Sequence, residues 1–333
     1  MEIMTQMNTT VSNYDANATN ISVIVDYYGT LQTSIYGTWL VIIIAFSIIG
    51  NILVMLVICM VSDMHSAENG TNIFLLFLAI SDLMTGIFIA PVSLYTLINE
   101  QWHFGTVLCS LNSFLNTTFL LTSIHILMYI SIHKYLTVKR LSHCDTLPLS
   151  KRTCFIMIGA SWLWGIAFAL LTTVGLSEAK YKVKTTQCGP KYPVFTIKSI
   201  SLSTSNLVVN FAIPFCIMLI MYLKIYYIMK DTAVFRNQST RRASVVRRSS
   251  GEKAAINTLI IVITCFVVCW LPYVVYTCFV IFTSDRDTIP AFFNPLVSKV
   301  LRTVSFVAVY DVNCSVSFCH VVVLITYIVI YMA

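Results

Sequence analysis

Charge is what this chain has least of. Lys and Arg number 21 and Asp and Glu 14 among 333 residues, 11% together, against about 25% in an average soluble domain. That shortage excludes a soluble fold with one apolar core under a charged surface. Hydrophobic residues make up 57% and the mean hydropathy is +0.81, so lipid is the expected solvent. Also missing are a nucleophile–base constellation, a phosphate-cradling glycine loop and a metal-ligand spacing, which leaves catalysis without support. No nucleic-acid partner and no cofactor are expected. The first 34 residues contain no Lys or Arg. They lack the basic start and apolar core of a cleavable signal peptide, so the first apolar span is expected to serve as its own insertion signal. No internal repeat or domain boundary is visible, and the one polar linker is the basic stretch 231–253.

What is present is a series of seven apolar stretches, at about 35–60, 72–98, 109–132, 153–176, 200–228, 255–283 and 303–324. Crossing a bilayer takes about 20 apolar residues in a helix, because every backbone polar group must be satisfied inside the segment. Each stretch carries scattered Ser, Thr, Asn, Cys or Gly, residues that in lipid face neighbouring helices. The expected fold is therefore all-α integral membrane, a seven-transmembrane helix bundle over 35–324. A 1–34 extracellular tail precedes it, a third cytoplasmic loop occupies 229–254, and a short apolar C-terminus covers 325–333. No pair of broken, repeated spans suggests a transporter.

Orientation follows from charge and glycosylation. The tail carries three N-x-S/T sites, at Asn8, Asn17 and Asn20, which fits an outside location. With that end outside, the inner loops hold 13 of the 21 basic residues, five from Lys134 to Arg152 and eight from Lys224 to Lys253. This follows the positive-inside tendency, and the expected location is the plasma membrane, multi-pass. Most of the 11 cysteines lie in apolar spans, where small core filler is the plain reading. Cys109 stands instead at the outer end of span three and Cys188 in the long outer loop before span five, both on the oxidising side. A bridge between them would tie that loop over the bundle mouth.

Several short motifs carry a family resemblance. Gly50-Asn51-x-x-Val54 in span one, Leu78-Ala79-x-x-Asp82 in span two and Trp102-x-Phe104-Gly105 before Cys109 resemble rhodopsin-like G-protein-coupled receptors. So do Phe211-x-x-Pro214 with Tyr222 in span five and Phe266-x-x-Cys269-Trp270-x-Pro272 in span six. The match covers roughly residues 35–320, with six motifs in the family's order. Two places depart from it. The acidic-Arg-Tyr triplet that ends the family's third helix reads His133-Lys134-Tyr135, and the Asn-Ser/Cys-x-x-Asn-Pro-x-x-Tyr pattern of span seven reads Asn313-Cys314 through Phe318 to Val321, without the second Asn, the Pro and the Tyr. An amphipathic eighth helix and a tail are not seen before Ala333.

The resemblance implies roles at matching positions. Asp82, Ser123 and Asn313, with Trp270 beside them, match the family's inward sodium pocket; the plain alternative for Asp82 is a hydrogen-bond hub with Asn51, and an acid in mid-membrane is costly either way. Pro272 removes a backbone donor and kinks span six, a hinge for a two-state switch. Glu252 stands where the family's acid pairs with the triplet Arg, so Lys134 and Glu252 form the expected inner lock, looser because lysine is a point charge. Tyr222 resembles the span-five tyrosine that meets span seven in the active state, but Val321 cannot answer it.

For the ligand pocket, span three presents Asn112, Asn116, Thr117 and Leu120 inward by three-and-four spacing, with Asn206 and Asn210 from span five and Trp270, Tyr273 and Tyr276 from span six. Amine receptors of this family carry Asp at the position of Asn116, so the usual anchor is absent. Asp311 stands at the level where opsins carry the retinal lysine; no Schiff base forms there, and Asp311 is the expected anchor for a cationic ligand with aromatic walls, against a structural pairing with Lys299 or Arg302. Five lysines at 180–198 favour acidic or peptide ligands instead. In the third inner loop, Arg-Arg-x-Ser strings mark Ser244 and Ser250 for phosphorylation, although such runs also bind anionic lipid. Two functional readings follow. One is a receptor that passes an extracellular ligand signal, from a small cationic amine, to a heterotrimeric G protein; the other is a weakly signalling or silent receptor acting as decoy or dimer partner, or a truncated product.

Overall fold

The computed structural model describes residues 30–61, 70–143, 149–175, 179–182, 186–190, 201–202, 204–237 and 264. Five helices among them are long and apolar enough to cross a membrane: Thr33–Met60, Gly70–Asn99, Gly105–Arg140, Lys151–Thr173 and Asn206–Lys230. They correspond to the first five apolar stretches. Apart from Thr264, spans six and seven lie outside the described residues, and with them Asn313, Trp270, Pro272, Tyr273, Tyr276 and Asp311; so do Glu252, Asn8, Asn17, Asn20, Ser244 and Ser250.

In chain order the elements are α1 (Thr30–Val61), α2 (Gly70–Met84), a π-helical turn (Thr85–Ile89), α3 (Ala90–Asn99), α4 (Gly105–His143), α5 (Lys151–Leu170), a second π turn (Leu171–Gly175), strands β1 (Ala179–Lys182) and β2 (Gln187–Pro190), a third π turn (Asn206–Ala212) and α6 (Ile213–Asn237). α2 and α3 form one rod. Its π turn is followed by Pro91, and the π turn before α6 by Pro214. Proline has no N–H to give and its ring presses on the carbonyl four residues back, so the helix widens locally to relieve the clash.

The bundle is built inside out relative to a soluble protein. Large apolar side chains such as Ile49, Leu53, Leu56, Met60, Leu163 and Leu223 are exposed on its outer surface. Asn51, Ser81, Asp82, Thr122 and Ser123 are buried inside it. An apolar core of Val54, Phe74, Leu78, Leu121, Ile124, Leu127 and Met218 joins α1, α2, α4 and α6. In lipid no hydrophobic force draws helices together, so close approach and polar contacts must do it. Gly165 of α5 illustrates this: a Cβ there would come within 2.9 Å of the Thr118 carbonyl oxygen and 3.0 Å of Thr122 Oγ1.

β1 and β2 form an antiparallel hairpin with Tyr181 opposite Cys188 and Lys182 opposite Gln187. The Cys109–Cys188 disulfide joins β2 to the start of α4 across a sequence separation of 79. Thr96 of α3 donates to the Thr186 carbonyl at 2.6 Å, and the Tyr181 hydroxyl donates to the Thr96 carbonyl at 3.1 Å. The hairpin is thus fastened to two helices at one end of the bundle, its mouth.

Candidate functional site

At the mouth, α4 holds the residues that spacing turned inward. Asn112 is buried, while Asn116, Thr117 and Leu120 are half-buried. The hairpin reaches them through Gln187, the residue before Cys188. Asn116 Nδ2 donates to Gln187 Oε1 at 2.7 Å, and Gln187 Nε2 donates to Ser93 Oγ at 3.0 Å. Ser93 Oγ in turn donates to the Ile89 carbonyl at 3.3 Å, so one directed chain of hydrogen bonds links α4, the hairpin and α3. Asn112 Oδ1 is buried with no hydrogen-bond partner among the described residues. Asn206 and Asn210 stand on the π turn before α6. Asn210 is buried and its Nδ2 donates to Asn206 Oδ1 at 2.9 Å, while Trp164 Nε1 of α5 donates to Asn210 Oδ1 at 2.8 Å. These two asparagines are therefore brought to α5.

Tyr181, on the hairpin, is half-buried. Burial pushes its phenol above the ordinary range, with a smaller push from Glu100, against the opposing effect of the Thr96 hydrogen bond. It stays an O–H donor at neutral pH.

Midway along the bundle lies Asp82, 1% exposed. Ser123 Oγ is 3.2 Å from Asp82 Oδ1 and 3.1 Å from Ser81 Oγ. Ser47 Oγ donates to the Asp82 carbonyl at 3.0 Å, and Asn51 Nδ2 to the Ser47 carbonyl at 2.8 Å. α1, α2 and α4 thus converge on one acid, and Asn51 Oδ1 is left buried without a hydrogen-bond partner among the described residues.

At the end opposite the hairpin, the altered triplet closes α4 against its neighbours. His133 is buried; its Nδ1 lies 3.0 Å from Thr71 Oγ1 and its ring stands edge-on to Phe74 at 6.1 Å. Lys134 is half-buried. Ser131 Oγ donates to the Tyr222 hydroxyl at 3.4 Å, and Lys224 Nζ sits 5.4 Å from the centre of the Tyr135 ring. α6 is joined to α4 through these two pairs.

Ser93, Thr96, Tyr181 and Gln187 were not singled out by the sequence reading. The signal available was position: Gln187 adjoins Cys188, so a bridge to Cys109 carries it onto α4.

A helical membrane bundle strapped at its mouth by a disulfide-held hairpin, with a buried acid on its axis, defines the class of seven-helix receptors. Residues 50–308 match the family "7 transmembrane receptor (rhodopsin family)", and the chain belongs to it: it is a multi-pass membrane receptor and not an enzyme. Trace amine-associated receptor 1 of Mus musculus is 30% identical over 266 residues, 76% of each chain. The high-affinity lysophosphatidic acid receptor of Xenopus laevis is 27% identical over 73% of this chain and 68% of its own. Human 5-hydroxytryptamine receptor 4 is 28% identical over 74% of this chain and 68% of its own. Squid rhodopsin matches the fold with a TM-score of 0.69 at 19% identity, over 89% of this chain and 81% of its own.

Proposed function

We propose that this receptor sits in the plasma membrane with its amino terminus outside and passes the binding of a small cationic amine to a heterotrimeric G protein. The observation that carries this reading is the state of the acids. Asp82 and Asp311 are the two acids within the seven apolar stretches. Asp82 is buried deep and held by Ser123, while Asn116 is neutral and bonded to Gln187. An ammonium entering from the mouth therefore finds its charge partner at Asp311, with Tyr273 and Tyr276 as aromatic walls. Relatives named for trace amines and 5-hydroxytryptamine support the same class. The lysophosphatidic acid receptor and the five lysines at 180–198 support an acidic ligand as the competing choice.

The test is a G-protein activation assay over a panel of amines and lysophospholipids. Asp311→Asn should lower amine potency about tenfold or more, a loss of about 1.4 kcal/mol, and Asn116→Ala should cost less. Activation by acidic ligands alone, or amine potency unchanged in Asp311→Asn, refutes the amine reading.

We infer that Asp82 and Ser123 also hold a sodium ion, with Asn313. The donor set fits: a carboxylate and hydroxyl are hard oxygen ligands, and Asn51, linked to the Asp82 backbone through Ser47, carries an orphaned buried acceptor in Oδ1. One observation favours the second reading, a receptor that couples weakly. The triplet's acid is replaced by His133, whose ring is committed to Thr71 and Phe74.

A further inference from the structure

The mouth holds a cluster whose hydrogen-bonding capacity is unevenly met. Asn112 and Asn116 are four residues apart on α4 and share one face. Asn112 Oδ1 is buried and lacks a donor among the described residues, a costly condition for an amide oxygen. Asn116 Nδ2 gives a proton to Gln187 Oε1 at 2.7 Å. Gln187, itself buried, is steadied from behind by Ser93.

Resting on the reading of the mouth as the ligand pocket, we propose that Asn112 and Asn116 form a neutral subsite for a ligand hydroxyl, with Gln187 as the specificity-determining residue that stands in that hydroxyl's place until the ligand arrives. The chemistry selects the group. An ammonium or other pure donor serves Asn112 Oδ1 but not Asn116 Nδ2, and an ether or ketone does the reverse. A hydroxyl does both, accepting from Asn116 and donating to Asn112. Side chains four apart on a helix are neighbours on its surface, so one ligand group can meet both. Gln187 shows why the site is selective. Its amide oxygen already satisfies Asn116, so a ligand lacking an acceptor gains nothing by displacing it. A hydroxyl replaces the bond to Asn116 and adds the one that Asn112 lacks. The ligand class is therefore an amine bearing a hydroxyl remote from its nitrogen.

The test uses the full chain purified in lipid nanodiscs and two probe pairs that each differ by one hydroxyl: phenethylamine with tyramine, and ethylbenzene with 4-ethylphenol. Binding is read as ligand-dependent rise of the thermal midpoint. The hydroxylated member of each pair should bind about tenfold more tightly, about 1.4 kcal/mol. Asn112→Leu and Asn116→Leu should each remove most of that advantage, read as the ratio of tyramine to phenethylamine affinity within each variant. Gln187→Ala should strengthen tyramine binding several-fold, because no amide remains to be displaced. Should a leucine variant fail to fold, Asn112→Ala and Asn116→Ala make the same comparison at smaller volume. Equal affinities within both pairs, an advantage that survives both substitutions, or no hydroxyl-bearing probe binding overturns the proposal. A hydroxyl advantage in the neutral pair, with phenethylamine no better than ethylbenzene, sinks the amine reading and leaves the subsite standing.

Discussion

His133 Nδ1 lies 3.0 Å from Thr71 Oγ1, and this contact is possible because the residue before Thr71 is Gly70. A Cβ on Gly70 would overlap His133 Nε2. The imidazole therefore lies against bare backbone at the start of α2, with Phe74 along its edge. α4 is docked to α2 at the residue where the family's triplet carries its acid.

Gly70→Ala should force the ring out of that seat, at a cost of about 1–3 kcal/mol, the usual range for overpacking. Thr71→Val should cost about 1 kcal/mol through the lost hydrogen bond. Thermal unfolding of the purified receptor reads both. The double variant Gly70→Ala/His133→Ala should recover part of the loss caused by Gly70→Ala. No recovery would mean that the methyl clashes with something other than the ring.

The disulfide prediction concerns assembly of the mouth. Replacing Cys109 or Cys188 with Ser should lower surface expression and ligand binding, since β2, and Gln187 with it, is anchored to α4 by this bond. Loss of a native disulfide costs about 2–5 kcal/mol in small secreted domains. Cys216→Ser is the control, because Cys216 is a free thiol on the outer surface. Wild-type trafficking and binding in both bridge variants would show that Thr96 and Tyr181 alone suffice to hold the hairpin.

Sodium should stabilise the purified receptor, raising its thermal midpoint in sodium chloride over choline chloride at equal ionic strength. The stabilisation follows mass action, RT ln(1 + [L]/Kd), so about 2.7 kcal/mol is expected at a hundred times Kd. Asp82→Asn should abolish the difference and Ser123→Ala should reduce it. A midpoint insensitive to sodium in the wild type would leave Asp82 as a hydrogen-bond hub.

Sequence conveyed the parts of this molecule that depend on length and polarity. Five apolar stretches emerge as five long helices because a span's hydrophobicity decides whether lipid accepts it. Cys109 and Cys188 were legible because one stands at the outer end of its span and the other in the loop beyond. The hairpin was not: Ala179–Lys182 and Gln187–Pro190 are four residues each, too short for alternation to register, and they are held by Cys109 and Thr96 rather than by propensity. The pairing of His133 with Thr71 was also hidden, since it depends on how α4 is rotated against α2. Asn206 and Asn210 were legible as polar pocket candidates in span five, but not that Trp164 would claim one of them.

The π turn at Thr85–Ile89 sets a phase between the two halves of its rod. A π turn takes one residue more than an α turn, and one residue is about 100° of rotation around a helix. Asp82 lies before it, facing Ser123; Ser93 and Thr96 lie after it, facing the hairpin. Removing one residue from Thr85–Ile89 would restore an unbroken α-helix and swing Ser93 and Thr96 about a quarter of a turn away from Gln187 and Thr186, while Asp82 kept its bearing. The mouth and the buried acid are thus indexed to each other by one surplus residue.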